Sequence, residues 1–253
     1  MNFQELKPTS KTMSNSLEYF GIGQDVLSLD EAEVGIIVPR HFVDNNLKKF
    51  GSELIELEKT LLVFSEITVG SRSPIKIRQI SSSELSVFID SAPEICACIA
   101  FAIERIVALY KSLLEIKTLK QGLIDQNVPE DALSELTNHT ESKIRPAIDD
   151  IASDILNKYE DKLDADRKNE LETELKHSLL KLTDRIDRGF QIELRVSEPA
   201  SEEENSEETP ERSAIRHEII EATSKLRLQH SGENPILFLT TGSGDSTENN
   251  DEE

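Results

Sequence analysis

Residues Ser91–Leu114 read SAPEICACIAFAIERIVALYKSLL, and the fold follows from how this stretch is taken. Ser91 suits a helix cap, and Pro93 and Glu94 suit a first turn. From Ile95 to about Leu114 the chain is apolar on most sides of a helix, the pattern of a helix enclosed by neighbours. Its longest uncharged run, Ile95–Ile103, ends at Glu104 and Arg105. That is far short of the ~20 residues a membrane-spanning helix needs, so the run belongs in a protein interior. Cys96 and Cys98, the only cysteines, lie inside it. Two residues apart on a helix, they point to nearly opposite sides, which favours buried, inert thiols over a shared metal ion or a disulfide. A reducing, cytoplasmic setting is the matching expectation. Beyond this stretch the pattern narrows to Leu113, Ile116, Leu119 and Leu123 among lysines, so the helix is expected to leave the core as a partly exposed arm.

Upstream, Glu33–Pro39 (EVGIIVP) reads as a short buried strand stopped by proline. Asp44 or Asn45 is placed to cap the next helix. Along that helix Leu47, Phe50, Leu54, Leu57, Leu61 and Phe64 repeat at spacings of three and four, a seam that suits core packing against a sheet or an intermolecular coiled coil. Two alternating runs follow, Ile75–Ile80 and Leu85–Ile89, separated by Ser81, Ser82 and Ser83. A β-hairpin is the natural reading.

Downstream, the middle third is helical. Leu133, Leu136, Ile144, Ile148, Ile151 and Ile155 mark one amphipathic segment, which Pro146 must kink or divide. Leu171, Leu175, Leu179, Leu182 and Ile186 mark another, closed by Arg188 and Gly189. Phe190–Val196 alternates as a half-buried strand, Thr209–Pro210–Glu211 opens a helix, and Pro235–Thr240 (PILFLT) is a last apolar strand. The expected fold is α+β: a small mixed sheet of about five short strands, packed by long helices, with a projecting helical hairpin or bundle in the middle third. The expected organisation is an N-terminal segment (1–32), an α+β core (33–126), a helical arm (127–189), a C-terminal strand-helix-strand returning to the sheet (190–240) with an acidic linker (197–209), and an acidic tail (241–253).

The 253 residues carry a net charge of −21. Seven acids and no base lie between Glu198 and Glu211 if Arg212 is excluded, and five acids and no base between Asp245 and Glu253. Both stretches read as solvated, self-repelling segments. The overall sign argues against binding nucleic acid or an anionic membrane surface, which needs an excess of Lys and Arg. The first residues, MNFQELKPTSKTMSNS, are polar and lack the apolar core of a secretory signal.

No glycine-rich phosphate loop, HExxH, paired CxxC or GxSxG motif occurs, and the five histidines are scattered singly. No catalytic residue, metal or cofactor is therefore expected. One constellation has anion-binding composition. If the first strand, its helix and the second strand form a crossover, Arg40 and His41 share a sheet edge with Arg78, Ser81, Ser82 and Ser83. The leading expectation is a non-catalytic interaction or scaffold protein, docking a protein partner or a second copy through the stripes at Leu133, Leu136, Ile144, Ile148, Ile151, Ile155, Leu171, Leu175, Leu182 and Ile186. The alternatives are a ligand-sensing or enzymatic domain for a phosphate-bearing small molecule at Arg40, His41 and Ser81–Ser83, and an acidic decoy of a nucleic-acid-binding protein.

Overall fold

The computed structural model describes residues 27–28, 30–81, 85–126, 134–163, 166–197 and 209–225. In chain order the elements are β1 (Ala32–Val38), α1 (Leu47–Val69), β2 (Lys76–Ser81), β3 (Leu85–Ser91), α2 (Pro93–Asp125), α3 (Ser134–Lys158), a 3-10 turn (Glu160–Lys162), α4 (Lys168–Asp187), β4 (Gln191–Val196) and α5 (Pro210–Lys225). The α+β class is as expected. The sheet has four strands in the order β2-β3-β1-β4, and every neighbouring pair is antiparallel where a mixed sheet of about five was expected. The expected strand at Pro235–Thr240 lies outside the described residues, as do residues 1–26, most of the acidic linker and the tail.

β1 is the central strand, and it is buried along nearly its whole length. Ala32, Val34, Ile36 and Val38 alternate onto one face and join the core, as the two-residue period of a strand requires. Gly35 lies on the opposite face beneath the Phe88 ring. A Cβ there would stand 2.8 Å from a ring carbon of Phe88, so glycine is what allows the close approach. Glu33, on the same face, is buried and accepts a hydrogen bond from Arg195 Nη1 at 2.8 Å.

α2 packs against all four other helices and against β1 and β4. Ala97, Cys98, Ile99, Ala100, Ala102, Ile103, Ile106 and Leu113 are buried around it. This is the enclosure its composition calls for. Its cap differs from expectation: Ser91 ends β3, and the capping position is Ala92, which makes no side-chain hydrogen bond. In α1 the cap is Asn46, which accepts from the amides of Lys48 and Lys49. Asp44 and Asn45 instead take left-handed backbone conformations in the turn before it. The α1 seam packs inward, since Leu57, Leu61 and Phe64 are buried in the chain's own core, although Leu47 is exposed. Gly70 closes α1 with a φ of 73° and Gly189 closes α4 with a φ of 91°, a conformation that favours glycine.

The middle-third helices join the same core. Ile144, Ile148, Ile151, Ile155, Leu175, Leu182 and Ile186 belong to the cluster that holds the sheet residues. α3 continues through Pro146 as one element. The hairpin of α2 and α3 is therefore anchored at its base, while the far end of α2 is exposed at Leu114 and Leu119.

Ion pairs at the rim clamp α4 onto α1. Arg185 donates from Nε to Glu53 Oε1 at 2.6 Å and from Nη2 to Oε2 at 3.0 Å, and both side chains are largely buried. Breaking such a pair leaves one charge unpaired, whereas replacing both partners with apolar groups removes the problem. Glu53→Ala should cost about 3 kcal/mol in urea denaturation. Glu53→Leu/Arg185→Leu should recover most of it, and a double variant as damaged as the single would contradict the clamp.

Beside it, Lys181 and Lys59 donate to Glu56 and hold its carboxyl at about 2, below the ordinary 4.5. Folding lowers this pKa, so the stabilisation is complete above about pH 4.5 and is lost as the pH falls toward 2. Glu56→Gln should flatten the pH dependence of the urea midpoint across that interval. Unchanged slopes would contradict the assignment.

Candidate functional site

Two aliphatic rows cross the sheet. Leu194, Val34, Ile89 and Ile77 stand side by side on β4, β1, β3 and β2, and Ile192, Ile36, Val87 and Ile80 form the next row. A bulge between Ile77 and Gln79 brings both β2 isoleucines onto the core face, because a bulge inserts one residue and resets the alternation. Val34, Ile36, Val87, Ile89 and Leu194 are buried, yet Ile77 is 55% exposed and Ile80 54%. Among the described residues, the core face of the sheet is covered over β1 and β3, partly covered over β4 and most exposed over β2.

A separate cavity of about 370 Å³ lies between α1, β3 and α2. Its walls include Leu61 and Val69 of α1, Ile75 before β2, Ile89 of β3, and Ile95 and Ile99 of α2. Val69 is itself exposed at its margin. Asp30, Asp90 and Ser91 stand at the polar rim. Both acids are already paired: Arg78 Nε lies 3.1 Å from Asp90 Oδ1 and Arg212 Nη1 lies 2.6 Å from Asp30 Oδ1. The result is an apolar trough with a neutralised rim.

The sequence-derived anion constellation is only partly assembled. β1 and β2 do run in the same direction with β3 between them, so Val38 and Ser81 lie toward one end of the sheet. Arg40 and His41 follow β1 there and are exposed. Arg40 Nη1 donates to Asn45 Oδ1 at 3.1 Å. Arg78 does not join them. It turns toward the other end, where it meets Asp90 and Glu31. The bulge accounts for this placement. Ser82 and Ser83 lie outside the described residues.

The apolar stripes have a different position from the docking face expected of them. Leu171 is buried, as are Ile144, Ile148, Ile151, Ile155, Leu175, Leu182 and Ile186, so the chain's own core covers these side chains. Leu133 lies outside the described residues, and of Leu136 only the helical backbone is described. Ile77 and Ile80 were visible in the sequence as one half of a hairpin. Nothing local marked their strand as the uncovered edge.

Among the described residues, no group of three or more His, Cys, Asp or Glu is placed to hold a metal ion. No described helix is long and apolar enough to cross a membrane. Neither a family model, a curated protein nor a solved structure matches the chain.

The thiols are chemically quiet. Burial pushes Cys96 and Cys98 up to about 12, and burial likewise raises the Tyr159 hydroxyl beside Cys98. A thiol attacks as its thiolate, so the folded protein should take up no iodoacetamide at pH 8 while the urea-unfolded chain takes up two equivalents. Rapid labelling of the native protein, read by intact mass, would contradict this placement.

Proposed function

We propose that this protein is a non-catalytic interaction protein, and that its docking site is the exposed core face of β2 at Ile77 and Ile80. The observation that carries the reading is the pair of half-exposed isoleucines, Ile77 and Ile80, continuing two rows that are buried on the other strands. Among the described residues, the core face of the sheet is most exposed there, and an apolar segment laid on β2 would cover it. Such a contact draws its free energy from apolar burial at ~25 cal/mol per Å². The neighbouring pair of Arg78 with Asp90 lowers the desolvation penalty of bringing a protein surface close. The protein's net charge of −21 would favour partners with basic surroundings to the docked segment.

Support for the phosphate-ligand alternative is weaker. The Arg78 side chain pairs with Asp90 and Glu31, away from Arg40 and His41, and Arg40 is engaged with Asn45. The acidic-decoy alternative concerns segments outside the described residues.

The test is a quantitative comparison of bound proteins. Ile77→Asp/Ile80→Asp should lower affinity for the partner on the order of 30-fold, from the loss of roughly 2 kcal/mol of apolar burial. Leu47→Asp, at an exposed residue at the start of α1, should leave binding unchanged. A partner held equally well by the β2 variant would place the docking site elsewhere.

A further inference from the structure

We propose that the cavity between α1, β3 and α2 binds a small aliphatic amine, with the hydrocarbon body inside and the ammonium group at the rim. The inference goes beyond the docking reading and is independent of it, since the described residues that line this cavity include none of β2.

Size comes first. Protein interiors hold few voids larger than a water molecule, and an apolar cavity of roughly 150 Å³ already takes up benzene. At about 370 Å³ this cavity is more than twice as large, within the roughly 300–1,000 Å³ of small-molecule sites. Ser65, Ser73, Ser91 and Ala92 contribute small side chains to its lining, and they leave volume that leucine or phenylalanine would fill.

The walls select the body. Val34, Leu61, Ile89 and Ile99 are buried, and Ile75 and Ile95 are partly so. Their side chains carry no hydrogen-bonding group, so whatever enters between them gains by apolar burial alone.

The rim selects the head. Ser65 Oγ already donates to the Ser71 carbonyl at 2.8 Å, and Ser91 Oγ to the Ala92 carbonyl at 3.3 Å. Asp30 and Asp90 are carboxylates, which only accept. With both hydroxyl protons committed, these four groups have lone pairs to give and the ligand must bring the donor. An ammonium brings three. The ion pairs to Arg212 and Arg78 engage Oδ1 of each carboxylate, and a carboxylate has roughly four acceptor sites. The side chains of Asp30 and Asp90 are 65% and 42% exposed, so an ammonium beside them keeps part of its hydration while its body is buried, as a lysine stem does on apolar surface. A carboxylate ligand would meet two like charges instead. Neither guanidinium is among the residues lining the cavity, and the chain's charge of −21 adds to the repulsion.

Calorimetric titration of the full chain with butylamine, hexylamine, octylamine, 1-octanol and octanoate, all below micellar concentrations, tests this. Affinity should rise about 4-fold per methylene along the amines. Octylamine should bind at least 5-fold more tightly than 1-octanol, and octanoate should bind most weakly. In isoleucine δ1-methyl NMR spectra, octylamine should shift Ile75, Ile89, Ile95 and Ile99 more than Ile77 and Ile80. Asp30→Asn/Asp90→Asn should reduce octylamine to the affinity of 1-octanol and leave the alcohol unchanged. Ile75→Phe, which intrudes on the volume, should weaken both at least 5-fold. The shift map of the unaltered protein decides the site even where a variant fails to fold. Absence of saturable octylamine binding at millimolar concentration would overturn the proposal, as would octanoate or 1-octanol binding as tightly as the amine. Affinity indifferent to chain length would mark amines gathering on acidic surface and would also overturn it. So would shifts largest at Ile77 and Ile80, whereas the docking reading is judged separately, by partner affinity.

Discussion

A 33-residue helix that is apolar around most of its first five turns imposes the constraint from which the rest of this structure follows. Between Ile95 and Leu113, α2 faces water along one stripe, at Arg105, Ala108, Lys111 and Ser112, and its other sides are apolar. A sheet covers one side of a helix. The others need helices, and the chain supplies α1, α3, α4 and α5. This requirement explains why the stripes of α3 and α4 turn inward. Each buried leucine or isoleucine contributes about 1.5–3 kcal/mol relative to exposure, and the exposed flank of α2 is the nearest apolar surface. The charged clamps follow in turn. Glu53, Glu56, Lys181 and Arg185 lie at the margin between α1 and α4, where they fix one helix against the other without entering the core.

Closing the layer around α2 leaves the sheet incompletely covered. The helices stand over β1, β3 and β4, and the two aliphatic rows emerge at Ile77 and Ile80. Isolated exposed isoleucines are ordinary on a protein surface. These two differ because they continue rows that are buried on β1 and β3. An interrupted layer has a defined complement: something flat, apolar and about one strand or helix wide.

Most elements were legible in the sequence because their signals are local. Three-and-four spacing marked α1 and α4, a short apolar run stopped by proline marked β1, alternation marked β3 and β4, and Gly189 marked the end of α4. What stayed hidden depends on neighbours. Alternation at Ile75–Ile80 identifies a strand but is silent about which strands flank it, so the same pattern serves an edge and a centre. The bulge at Arg78 is a pairing irregularity with no local mark, and it sends Arg78 away from Arg40 and His41. Likewise an amphipathic stripe such as Ile144–Ile155 states that it needs cover but not whose. The four-strand antiparallel order was hidden for the same reason, since no short motif ties β1 to β4 across more than 150 residues.

The same packing sets the proton affinities of the groups it encloses. Catalytic groups are typically held in polar clefts with shifted proton affinities near neutrality. Here two thiols are raised chiefly by burial, and the Glu56 carboxyl is lowered by Lys181 and Lys59 at the rim. All of these shifts move the groups away from neutral pH. Each change fixes a charge state and so removes a proton that could move. Charged side chains near the trough neutralise one another in pairs, as Arg78 does with Asp90. On the docking reading proposed above, the free energy that an apolar surface ringed by paired charges would offer a partner is apolar burial.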